Sequence, residues 1–124
     1  MITKELHILE KKYENFSFNK KKREDDFVYN TSKDIAQIDF DKLEFPLILR
    51  SWQDGDYFYP LGMNNKKKKL KRYFADNKLS RNDKERVWIL TDNKKRIVWV
   101  VNHRLDERFK ITEKTQQIYE IKTT

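Results

Sequence analysis

Val87-Trp88-Ile89-Leu90-Thr91-Asp92-Asn93-Lys94-Lys95-Arg96-Ile97-Val98-Trp99-Val100-Val101 is the stretch that decides the fold class of this chain. Two runs of apolar, mostly β-branched or aromatic residues, Val87–Leu90 and Ile97–Val101, bracket the polar loop Thr91–Arg96, the pattern of a β-hairpin. Both arms are apolar at successive positions. A strand with one wet face alternates, so this hairpin belongs inside a sheet that is covered on both sides.

Working outward, Lys69–Asn77 fits a short helix, because Leu70, Tyr73 and Phe74 share one face at i, i+3, i+4 spacing. Lys71, Arg72 and Lys78 then project into solvent. Ser80-Arg81-Asn82-Asp83 reads as an N-cap leading into a second helical turn. Gln53-Asp54-Gly55-Asp56 is a turn, with Gly55 supplying a positive φ. Ile35–Phe40 and Leu47–Arg50 read as strands separated by Asp41–Pro46, and Phe16 and Phe18 alternate in strand fashion. Lys20–Asp26 is a charge run whose signs cancel, read as a solvated loop. Glu5–Glu10 stays open: Leu6, Leu9 and Tyr13 suit a helix face, whereas Leu6 and Ile8 suit a strand. Gln117–Lys122 supplies a last strand. Strands outnumber helices, so the class is α+β, in one domain over residues 1–124.

Apolar residues make up only 37% of the chain, but three Trp, six Tyr and eight Phe can each bury a large area, so a packed core is within reach. With no cysteine, disulfides and thiolate metal sites are excluded. The longest apolar runs, such as Ile97–Val101, are too short to cross a bilayer, and the N-terminus has no secretory apolar region. The expected location is the cytoplasm.

The net charge of +8 is not spread evenly. Residues 1–50 hold ten basic and ten acidic residues, while residues 51–124 hold eighteen and ten. Lys66, Lys67, Lys68, Lys69, Lys71, Arg72, Lys78 and Arg81 face only Asp76 within their stretch. Most charge runs are simply solvated faces. Here the lysines abut Gly62 and Asn64-Asn65, a loop able to bring backbone N–H groups near a phosphate, and the helix behind them anchors the charges. Such a patch is the footprint of a polyanion partner. An anionic membrane would attract it too, but no amphipathic insertion face accompanies it. Structured RNA, read through phosphates and 2′-hydroxyls, suits lysines best.

Catalytic constellations are missing. Two glycines cannot build a phosphate-cradling loop, and Ser17, Ser32, Ser51 and Ser80 carry no triad signature. His7 and His103 lack ligand-spaced partners, and the positive charge of Arg104 disfavours an imidazolium at His103. The enzymatic rival is a Mg2+ site for phosphodiester chemistry, from Asp54 and Asp56 joined by Asp106 and Glu107. Against it, Asp54 and Asp56 flank a glycine turn, and Asp106 lies between Arg104 and Arg108, where ion pairing needs no metal.

A resemblance carries the reading further. Pro46-Leu47-Ile48-Leu49-Arg50-Ser51-Trp52-Gln53-Asp54-Gly55-Asp56-Tyr57-Phe58 and Pro60-Leu61-Gly62-Met63 resemble the opening motif of the C-terminal domain of tRNA(Ile)-lysidine synthetase. So do, in order, the lysines, Leu70, Tyr73-Phe74, Asp76-Asn77-Lys78, Arg86-Val87-Trp88, Ile97-Val98-Trp99-Val100 and Arg104–Thr112. Residues 46–124 are the family-like region; residues 1–45 are less distinctive, although Ile38–Leu43 fits the approach to the domain. Two departures concern glycines. Asn64-Asn65 stand after the Gly-Met pair, and Asn102 precedes the Arg104 motif, where the family favours glycine; asparagine tolerates positive φ.

The resemblance implies a β-rich, sandwich-like α+β fold with a few short helices, similar to a domain of the phenylalanyl-tRNA synthetase β subunit. It implies a parent ligase that uses ATP to join lysine to the wobble cytidine of an isoleucine tRNA. The ATP and Mg belong to an N-terminal catalytic domain, whose S-G-G-x-D-S loop is missing from this chain. No catalytic residue, cofactor or metal is expected here. The expected partners are tRNA near its acceptor stem and that N-terminal domain, and a homodimer is compatible with the reading. The residues expected to meet RNA are Lys66, Lys67, Lys68, Lys69, Lys71, Arg72, Lys78 and Arg81, with Arg104 and Arg108 weaker because Asp106 and Glu107 compete for them. The alternative is a structural domain that mediates subunit or inter-domain contacts without touching RNA.

Overall fold

The computed structural model describes residues 16–123, together with the backbone of Lys4–Glu5. That dipeptide is strand β1, so the start of the undecided Glu5–Glu10 segment is extended; the rest of it, with His7 and Tyr13, lies outside the described residues. The chain continues through β2 (Phe16–Lys22), β3 (Ile35–Asp39), β4 (Ile48–Ser51), β5 (Tyr57–Phe58) and β6 (Lys68–Lys69). Helices α1 (Leu70–Asp76) and α2 (Arg81–Glu85) follow, then β7 (Trp88–Thr91), β8 (Ile97–Val100), β9 (Arg104–Leu105) and β10 (Gln117–Thr123). Short 3-10 turns occupy Phe40–Lys42 and Glu107–Phe109.

The hairpin forms as expected. β7 and β8 pair antiparallel at the centre of a five-stranded sheet ordered β1-β4-β7-β8-β9. Between Leu90↔Trp99 and Thr91↔Ile97 the register shifts and leaves Val98 without an opposite residue, a β-bulge. The bulge sorts the side chains. Val98 and Trp99 pack on one face with Leu90, while Ile97 and Val100 join Ile89 on the other.

Two layers cover those faces, which is why the hairpin can be apolar throughout. A three-stranded sheet ordered β2-β10-β3 brings Ala36, Ile38, Tyr119 and Ile121 onto the first face. Helix α1 brings Leu70, Tyr73 and Phe74 onto the second, beside Phe58 of the β5–β6 ladder. The result is a β-rich α+β sandwich. Among the described residues, no helix is long and apolar enough to cross a membrane.

One expectation fails. Lys20–Lys22 are not a solvated loop but the end of β2, paired through Tyr119↔Lys20 to Gln117↔Lys22. β2 is an edge strand that needs only one buried face, and Phe16 and Phe18 supply it, so lysines are tolerated further along. The Lys20 ammonium also lies 4.2 Å from the centre of the Phe40 ring. Positive φ falls at Asn64 (56°), Asn65 (57°) and Asn102 (64°), so asparagine adopts the left-handed backbone at the positions where the resemblance favours glycine.

Candidate nucleic-acid interface

Because Leu70, Tyr73 and Phe74 are all buried, α1 is clamped to the sheet and must turn its other face outward. That face presents Lys71 and Arg72, both exposed. Lys66, Lys67 and Lys69 precede it, also exposed, and Lys78 and Arg81 follow it. α2 is held in turn by a capping box: the Ser80 hydroxyl accepts from the Asp83 N–H at 3.0 Å, and the Asp83 carboxylate accepts from the Ser80 N–H at 3.3 Å. The expected cations therefore lie along a fixed ridge.

They are not equivalent. Lys68 is half-buried and pairs with Asp76 at 2.5 Å, while Arg72 reaches the other carboxylate oxygen at 3.2 Å. The hydrogen bond from Lys68 is the main reason the Asp76 carboxyl is held below its usual pKa. The Lys67 ammonium sits 4.0 Å from the centre of the Tyr57 ring. Lys66, Lys69, Lys71, Lys78 and Arg81 enter no ion pair among the described residues. These five carry the uncompensated charge of this stretch.

Arg104 and Arg108 diverge. Arg108 is occupied, as expected: its guanidinium grips the fully buried Asp106 carboxylate through Nε (3.0 Å) and a terminal nitrogen (2.9 Å). Burial works against the Arg108 charge, but Asp106 outweighs it and raises the guanidinium pKa. The carboxylate also accepts from the backbone N–H of Tyr59 (2.9 Å) and Arg108 (2.8 Å). Arg104 does not pair with Asp106 or Glu107. It donates to the Leu61 carbonyl at 3.2 Å, because β9 pairing turns it towards that loop. Glu107 instead takes Lys110 and the Gly62 N–H, which together outweigh burial and lower its pKa. With the Gly62 N–H spent there, that donor is not offered to a phosphate.

The four carboxylates of the Mg2+ rival do not converge. Asp56 is held by both terminal nitrogens of Arg50 at 2.9 Å, and Gly55 makes its turn at φ 94°. Among the described residues no three His, Asp or Glu side chains stand close enough to share a metal. The imidazole of His103 is shifted below its ordinary pKa chiefly by burial, and the adjacent cation responsible is Lys33 rather than Arg104.

Two features escaped the sequence reading. Tyr57 and Tyr59 stack edge to face at 6.3 Å, and the Arg108 guanidinium lies 4.4 Å from the centre of the Tyr59 ring. Lys67, Tyr57, Tyr59 and Arg108 thus make one continuous cation–aromatic ladder beside the ridge. Strand alternation puts the two tyrosines on one face, a signal available in sequence; that Lys67, from the next loop, and Arg108, from far along the chain, would meet those rings is not. The second feature is Lys95 at the β7–β8 turn, free of ion pairs among the described residues while Lys94 and Arg96 engage Glu44 and Asp92.

Comparisons with known proteins bear on the family and the fold. The chain is 50% identical over 93 residues to tRNA(Ile)-lysidine synthase of Parabacteroides distasonis and 42% identical over 93 residues to that of Bacteroides thetaiotaomicron. Each match covers 75% of this chain, and the chain spans about a fifth (21%) of either relative. Among solved structures, a TILS C-terminal domain superposes with a TM-score of 0.70 at 21% identity, covering 87% of this chain and 82% of that one. An N-terminal fragment of the phenylalanyl-tRNA synthetase β subunit from Pyrococcus horikoshii gives a TM-score of 0.60 at 19% identity, covering 70% and 27%. Both structural likenesses show the fold that the sequence resemblance implied. A family model described as "TilS substrate C-terminal domain" matches residues 47–121, and the chain belongs to that family.

Proposed function

We propose that this chain is the tRNA-docking C-terminal part of a tRNA(Ile)-lysidine synthase. It binds near the acceptor stem, while an N-terminal domain outside this chain uses ATP and Mg2+ to join lysine to the wobble cytidine. The observation that carries this reading is the run of unpaired cations on and around a helix clamped to the sheet of a family member: Lys71 on α1, Lys66 and Lys69 before it, Lys78 and Arg81 after it. Lysines without bound carboxylates are free to displace counterions from phosphates, and their fixed spacing suits a duplex backbone rather than a base sequence. Lys67, Lys68, Arg72 and Arg108 already have partners and contribute less; Arg104 flanks the ridge. The work done here is positioning, with no chemistry of its own.

The test is a titration of the 124-residue protein with an acceptor-stem minihelix and with an anticodon stem-loop of matched length. The minihelix binds more tightly, and reversing Lys69, Lys71 and Lys78 to glutamate abolishes the difference. Equal affinity for the two RNAs would contradict acceptor-stem docking. A competing structural role, contact with the N-terminal domain or a second copy, predicts no RNA affinity at all and self-association in light scattering.

A further inference from the structure

A cavity of about 250 Å³ opens between the segment before β3 and the β8–β9 corner. Its floor is apolar, formed by Ile35, Ala36, Leu61, Trp99 and Leu105. Two cations line it, Lys33 and Arg104, and no carboxylate does. Lys33 enters no ion pair among the described residues, and the guanidinium of Arg104 bonds the Leu61 carbonyl and the Tyr73 hydroxyl but no carboxylate. Asn30 uses its side-chain oxygen to accept from the Ser32 N–H at 2.9 Å, which leaves its amide NH2 for another acceptor.

We infer that this cavity receives one unpaired nucleotide of the bound RNA, its base on the apolar floor and its phosphate between Lys33 and Arg104. The ligand class follows from the combination. A free inorganic anion gains nothing from five apolar walls, and an uncharged apolar ligand gains nothing from two unneutralised cations. A nucleotide uses both, as single-strand sites do when they join a flat surface for the base to charge for the backbone. The volume lies just below the range of ordinary ligand pockets, which begins near about 300 Å³. It suits one base with part of its ribose, not a duplex.

The cavity is also continuous with the ridge. His103 lines it and lines the adjoining cavity of about 340 Å³, where Lys78 and Arg86 stand. Asp83 lies there too, its carboxylate turned to the Ser80 N–H. A strand whose phosphates follow Lys71 and Lys78 therefore reaches the Lys33–Arg104 pair past the His103 ring. With its pKa lowered, that ring offers a neutral hydrogen-bonding edge at neutral pH.

This inference rests on the tRNA-docking reading, and its test separates the two. A blunt RNA hairpin and the same hairpin with a short single-stranded 3′ overhang are titrated by fluorescence anisotropy. The overhang tightens binding about tenfold, the scale of one seated base. Lys33→Ala removes most of that gain and leaves affinity for the blunt hairpin within about twofold. Adenosine 5′-monophosphate shifts the methyl resonances of Ile35, Leu61 and Leu105 and leaves those of Leu70 in place. Equal affinity for both hairpins, or no methyl shift with adenosine 5′-monophosphate, overturns the cavity assignment while docking through the ridge stands. Failure of both hairpins to bind overturns the cavity and the docking alike.

Discussion

At the scale of single residues, identical side chains in one lysine run have different fates. Lys68 and Lys71 are three positions apart, yet Lys68 is locked to Asp76 and Lys71 stands free. Lys71→Ala is therefore expected to weaken RNA binding several-fold at low salt, whereas Lys68→Ala changes it by less than about twofold, as side-by-side titrations will tell. The eight cations were legible in the sequence; which of them were already spent was not, because Asp76 discriminates among them through the geometry of a helix end. Asp106 shows the same limit. Its position between two arginines announced an ion pair, but only the fold reveals that Arg108 takes it alone and that the Tyr59 N–H shares it. Asp106→Ala strands a partly buried guanidinium and the backbone N–H groups of Tyr59 and Arg108, at a cost of about 3 kcal/mol in urea denaturation. Because Asp106 holds Tyr59 and Arg108 together, the cation–aromatic ladder loosens with it.

At the scale of elements, what could be read from sequence is what local periodicity dictates. The β7–β8 hairpin, the apolar stripe of α1 and the Ser80 cap all stand within about two residues of their expected places, since each rests on spacing alone. The strands that escaped notice are two residues long: β5, β6 and β9 exist because a distant partner is present, and so short a segment carries no period. β2 was cut short for the opposite reason, its lysines read as loop because edge-strand pairing with β10 is invisible along the chain. The cap has a measurable weight. Ser80→Ala removes the acceptor for the Asp83 N–H and should cost about 1 kcal/mol of stability. It should also weaken RNA binding slightly, since Arg81 rides on that turn, whereas Asn82→Ala on the same helix leaves both unchanged. Thermal denaturation of the two variants side by side distinguishes a cap from a merely polar surface.

At the scale of the whole molecule, the sandwich explains why a chain with so much charge has a definite polarity. The central hairpin is buried on both faces, one covered by the β2-β10-β3 sheet and the other by α1. Lys71 and Arg72 are therefore held on the outside of the second layer, and Lys66–Lys69 and Lys78 at its two ends. The buried acidic residues are held in local pairs with arginine or lysine, among them Asp92 with Arg96 and Asp106 with Arg108, as is Asp56 with Arg50. The stretch Lys66–Arg81 keeps a local excess of positive charge, with Asp76 as its one acidic residue. The central claim is that this ridge neutralises RNA phosphates, and the most direct measurement is the salt dependence of minihelix binding. With five free cations engaged, log K against log salt should fall with a slope of about −4, becoming shallower by about one for each of Lys66, Lys69 and Lys71 changed to alanine. A slope near zero, or one that the three substitutions leave unaltered, would contradict the account.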